Sequence, residues 1–158
     1  MKTLYALAIL LSCLLPTLVF AQVPSATPLK KANAILIETT DSATVAYRNM
    51  GRLLVTEGYT IAVSNADFAT ISTGDKPGKH GVLQAFTVLV TPMKAGSQII
   101  LTGTFADTNM GVLSPGVGYQ RIPIANSGMK GSPVQNTWAS LDALAKAYPG
   151  GKVLYLIK

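Results

Sequence analysis

Very few residues of this chain are of types that do chemistry, and their spacing matters more than their number. His80 is the one histidine and Cys13 the one cysteine in 158 residues. His80 lies in Gly74-Asp75-Lys76-Pro77-Gly78-Lys79-His80-Gly81, whose glycines and proline have the composition of a loop between strands. A Ser-His-Asp site needs an imidazole held by packed neighbours, so a solvated loop histidine is expected here. The seven carboxylates, Glu38, Asp41, Glu57, Asp67, Asp75, Asp107 and Asp142, are scattered without metal-binding spacing. Gly116-Val117-Gly118 has Arg121 where the third glycine of a phosphate-binding GxGxxG would stand, so it is read as turn chemistry. No catalytic, metal or cofactor-binding residue is expected, and no cofactor. A hydrolase acting on envelope polymer would have to draw Glu38, Asp67 or Asp107 together from different strands.

The first residues, MKTLYALAILLSCLLPTLVFAQ, read as an export signal: Lys2, an apolar run, Pro16, and a small-residue exit that places cleavage after Ala21. Because the apolar run continues past Cys13 to Phe20, lipidation at Cys13 is not expected, and neither is a membrane span once the signal is removed. Cleavage leaves no cysteine, which excludes disulfides, thiolate nucleophiles and Cys-bound zinc. The address expected is periplasmic or secreted. The formal charge of +6 comes from 13 basic residues that cluster only at Lys30-Lys31, so no nucleic-acid partner is expected. A mild positive field favours at most weak association with anionic envelope surfaces.

Positioning elements follow from periodicity. Residues 22–32 carry two prolines and read as an extended linker ahead of a single domain over residues 33–158. Ala34 to Glu38 suits a buried strand, and Thr39-Thr40-Asp41-Ser42 offers side-chain oxygens to cap a helix. Ala43, Ala46, Tyr47, Met50 and Leu54 then form an apolar stripe, with Arg48, Asn49 and Arg52 facing water, until Gly58 ends the helix. Tyr59, Ile61 and Val63 alternate with polar or small residues as one buried strand face, and a further strand is expected from Phe68 to Thr73. Two longer strands follow, Val82 to Thr91 and Gln98 to Ala106, joined by a Lys94-Ala95-Gly96-Ser97 loop. Phe86, Val88, Val90, Ile99, Leu101 and Phe105 share their inner face, and Thr87, Thr91, Thr102 and Thr104 the outer one.

Residues 107–131 lack a regular period and hold five glycines. A connection of this length is uncommon in a small domain and is expected to be either functional or mobile; on the functional reading its candidates for partner contact are Met110, Tyr119, Arg121, Ile122 and Met129. Tyr119 to Ile124 also reads as a short edge strand marked by Pro123. Ser132-Pro133-Val134-Gln135 is a capping box that starts a second helix. Val134, Trp138, Leu141, Leu144, Ala145 and Tyr148 form its stripe, with Trp138 as a core anchor, and Lys152 to Lys158 closes the chain as a last strand.

The order therefore predicts an α+β fold: an antiparallel sheet of about four to six strands with two helices packed on one face. An apolar strand, a helix ending in Glu57-Gly58-Tyr59-Thr60-Ile61, and Ala69-Thr70-Ile71-Ser72-Thr73 after a turn resemble the helix-grip or TBP-like domains of the BamC type. Short exported bacterial proteins share the pattern. The resemblance implies a non-catalytic envelope component. Together these readings predict an exported, non-enzymatic domain that works through protein contacts in the cell envelope, at a sheet edge or the 107–131 connection. The alternative is a carrier holding an apolar small molecule between helices and sheet.

Overall fold

A computed structural model describes residues 23–108 and 120–158; the stretch read as an export signal, Cys13, Gly116-Val117-Gly118, Met110 and Tyr119 lie outside the described residues. In chain order the elements are β1 (Ala34–Thr39), α1 (Ala43–Thr56), β2 (Ile61–Asn65), β3 (Thr70–Thr73), β4 (Lys76–Pro77), β5 (Val82–Met93), β6 (Gly96–Asp107), β7 (Ile122–Pro123), α2 (Pro133–Lys146) and β8 (Lys152–Leu156). Among the described residues they form an α+β fold with one antiparallel sheet of eight strands and two helices. The main path runs β2-β3-β5-β6-β1-β8, while the two-residue strands β4 and β7 flank β5 and β6. β1, near one end of the chain, lies between β6 and β8.

Alternation along β5 and β6 builds the core. Their register sets Val88 opposite Leu101 and Val90 opposite Ile99, and β1 continues the same rows with Ile35 and Ile37. Residues opposite one another in antiparallel strands share a face. All six are buried, in one cluster with Met50 and Leu54 of α1 and Trp138, Leu141 and Leu144 of α2. Gly103 is a close-approach position: a Cβ there would lie 2.7 Å from the Phe86 ring and 2.9 Å from Ile124. Its lack of a side chain admits both to the core. Thr87, Thr91, Thr102 and Thr104 lie on the other face, as the alternation predicts.

The helix ends follow the sequence in part. At the end of α1, Gly58 has φ +78°, the left-handed conformation glycine takes without a Cβ penalty. Gly58 N–H donates to Val55 O and Tyr59 N–H to Leu54 O, which completes a Schellman turn. At the start of α2, Ser132 Oγ accepts from Gln135 N–H at 3.3 Å, with Pro133 in the first turn. Ser42 holds the cap position of α1, but its side chain makes no cap bond. Its neighbour Asp41 is used instead as a fastener: Asp41 Oδ2 accepts from Asn49 at 3.1 Å and from Tyr148 OH at 2.7 Å, and its carbonyl accepts from Ser97 Oγ.

Four local expectations are revised. Val63 is 60% exposed, because the register of β2 shifts between Ile61 and Val63 and breaks the alternation. Phe68 is exposed in the turn before β3, which begins only at Thr70. The β5–β6 hairpin closes over Lys94-Ala95 alone, with Met93 paired to Gly96. Residues 23–32 are bound to the body: Ser25 exchanges two backbone bonds with Tyr155, Lys31 N–H donates to Asn126 O, and Ala32 is fully buried.

Candidate functional site

α1 and β2 define the site. The Tyr47 hydroxyl and Ser64 Oγ are 2.6 Å apart, joining the start of the helix to the end of the strand. The Schellman turn brings the other helix end to the strand's beginning, so the two run antiparallel. Between them lies a groove of 620 Å³ lined by Tyr47, Arg48, Gly51, Arg52, Val55, Thr56, Ile61, Ser64 and Ile71, within the range of ligand-binding pockets. Ile61, Ile71, Val55 and Tyr47 give it its apolar lining. Gly51 faces it with no side chain, so the helix backbone stands close to the opening.

The groove opens beside a sheet edge. β2 pairs with β3, and no strand is bonded to its other side among the described residues. The opposite edge, β8, is partly covered by Ser25. Arg48 and Arg52 stand one helical turn apart on the rim. Both are exposed, and neither makes an ion pair among the described residues. No carboxylate lines the groove. A smaller hollow of 350 Å³ continues from it past Tyr47 and Arg48 to Asp67, Ala69 and Pro92.

A second cleft lies between α2 and β4–β5 and has a different character. Hollows of 480 Å³ and 290 Å³ share Gln84, Ser140 and Ala143. Their polar groups bond one another: buried Gln84 donates to Tyr59 OH at 3.1 Å, Ser140 Oγ to Asn136 O, Thr137 Oγ1 to Val134 O, and Lys76 Nζ to Glu57 O. Lys76 also sits 4.3 Å from the centre of the Tyr59 ring, a cation–π contact. Burial, and then the charge of Glu57, pushes the Tyr59 hydroxyl up to about 12. These bonds tie α2, Tyr59 and Lys76 across or along the cleft, so it reads as a structural seam.

Arg121 is already engaged, its guanidinium holding both carboxylate oxygens of Asp75 at 2.7 and 2.8 Å. Ile122 is 39% exposed in β7, which pairs with Thr104 and Phe105 of β6 as the edge-strand reading of this stretch anticipates. Met129 is 83% exposed in the turn before α2. None of these three lines the α1 groove. Trp138 is 3% exposed and 6.1 Å from the Tyr155 ring, a core anchor. His80 lies in a short 3₁₀ turn at φ +62°. Glu38 pairs with Lys152 at 3.4 Å. No group of three or more His, Cys, Asp or Glu side chains able to hold a metal occurs among the described residues. No helix among them is long and apolar enough to cross a membrane.

Sequence periodicity places Arg48 and Arg52 in solvent without marking them as a site. The signal was present in the helix itself: neither arginine has an acidic residue three or four positions away with which to pair. No family model matches the chain, and no curated protein matches it.

Proposed function

We propose that this chain is an exported, non-enzymatic domain that works in the cell envelope through protein contacts, accepting an extended segment of a partner as an added strand against β2. The observation that carries this reading is the juxtaposition of an unpaired edge strand with the α1 groove. In strand addition, main-chain hydrogen bonds give affinity, and alternate side chains enter neighbouring pockets and give specificity. A strand laid beside β2 would set every second side chain on the α1 side, toward Ile61 and Val55. The register shift in β2 keeps the receptive stretch short, centred on Val63, Ser64 and Asn65.

Hydrogen exchange on the full chain, with and without an extended peptide alternating valine and threonine, tests this. The expected result is slowed exchange across Ile61–Asn65 and unchanged exchange in Lys152–Leu156. A peptide N-methylated on every residue has no main-chain donor to give to β2 on either edge and should lose the protection. If saturating peptide leaves β2 exchange unchanged, strand addition is rejected.

The apolar lining also supports a second reading, a carrier of an apolar small molecule. Native mass spectrometry of the chain isolated from its host distinguishes the two: a small bound mass released on denaturation assigns the groove to a carrier.

A further inference from the structure

The geometry points to an acidic partner: we infer that the segment received beside β2 carries two carboxylate side chains two residues apart, held by Arg48 and Arg52. This rests on the strand-addition reading and specifies the chemistry of its occupant.

Distance along the groove supports the match. Residues four apart in a helix rise by about 6 Å, and residues two apart in a strand are separated by about 6.6 Å while pointing to the same face. Because α1 and β2 run antiparallel, a strand added to β2 also runs along α1. Two acidic side chains on its helix-facing side would therefore meet the two guanidiniums in step. A Glu-x-Glu or Asp-x-Asp segment has that spacing; adjacent acids would point to opposite faces, and acids three apart would do the same.

Charge supports it as well. Arg48 and Arg52 have no ion-pair partner among the described residues, and no carboxylate lines the groove. The other arginine in the described structure, Arg121, is by contrast already held by Asp75. Asp67 lies in the adjoining hollow beside Arg48, and Glu57 follows Thr56 at the other end of the helix, which limits the favourable stretch to the part of the groove between them. A guanidinium presents a planar fork of donors that fits a carboxylate with two parallel bonds. The chain's formal charge of +6 adds a long-range field that draws an acidic segment in.

The test uses the full chain and three peptides of one valine–threonine scaffold, bearing paired Glu, paired Gln or paired Lys two residues apart. The Glu peptide should bind about tenfold more tightly than the Gln peptide at low salt, and the gap should narrow as salt screens the rim. The Lys peptide should bind weakest. In the R48E/R52E variant the order of Glu and Lys peptides should reverse; both positions are exposed, so circular dichroism and melting should match the parent. Equal binding of all three peptides at β2 overturns the acidic specificity and leaves strand addition standing. Binding of none of them overturns both readings. A Glu preference that survives R48E/R52E, or affinity confined to vesicles of anionic lipid, also overturns the assignment.

Discussion

At the β8 edge, Ser25 exchanges two backbone bonds with Tyr155, and the strand behind it is built of core residues: Leu154 is 6% and Tyr155 2% exposed. At the β2 edge, no strand is bonded on the outer side among the described residues, Val63 is 60% exposed, and a groove opens between the strand and α1. Unpaired edges invite strands from other chains, and folds normally cover, shorten or bend them. This sheet covers one edge with its own chain and bends the other by a register shift, while leaving that second edge beside an apolar groove. The difference teaches that the β8 edge serves stability and the β2 edge is the one free to serve contact.

Substitutions should separate the two edges by magnitude. Tyr155→Ala removes a buried ring, its contact with Trp138 and its bond to Asp142 at 2.7 Å. We expect it to cost about 3 to 5 kcal/mol in urea unfolding, and a loss below about 1 kcal/mol would break the comparison. Alkali should act next, through the tyrosines near the two edges. Tyr59, just ahead of β2, and Tyr148, just ahead of β8, are each pushed up to about 12, chiefly by burial, with Glu57 and Asp41 respectively adding to it. Both are raised above the ordinary value of 10, so below that value folded and unfolded chains hold the proton alike. As pH rises from 10 to 12 only the unfolded chain releases it, and stability falls, by about 2 kcal/mol for each tyrosine. Tyr59→Phe should lessen the alkaline loss in a pH series of denaturation midpoints, leaving the share of Tyr148 and of Tyr155, whose hydroxyl burial also pushes up.

Ser25→Pro deletes the donor to Tyr155 O and half-opens the covered edge. The expected cost is about 1 kcal/mol, with faster exchange of the Tyr155 amide. Smallest of all should be Val63→Thr, within about 0.5 kcal/mol of the parent, since the residue faces water. If that change destabilised the chain by several kcal/mol, the β2 edge would be part of the core and its assignment to contact would fail.

The parts of the fold that repeat were legible in the sequence. β5 and β6 alternate through Phe86, Val88, Val90, Ile99 and Leu101 without a break, and the stripe of α1 runs up to Gly58 and that of α2 starts from Ser132, residues with a known terminal chemistry. What escaped was set by tertiary pairing. Val63 obeys the alternation on paper, yet the register shift turns it outward. Lys76–Pro77 and Ile122–Pro123 are too short to have a period and are strands only because β5 and β6 extend past their longer neighbours. Ile124, read within a long connection, is fully buried beneath Gly103. The candidate site was half legible: a sheet edge was expected to carry contact, but which edge depends on where Ser25 returns, and sequence periodicity does not encode that.

The place of β1 also dictates an order of events during folding. Ala34–Thr39 is made early, but it pairs with β6 and then with β8, near the other end of the chain. The β5–β6 hairpin closes locally and can form first, whereas the β1–β8 ladder is among the most non-local pairings in the domain and is expected to close late. Until Lys152–Leu156 arrives, the most apolar strand of the protein has one side of its backbone open. A chain halted short of β8 would present that strand as a template for aggregation.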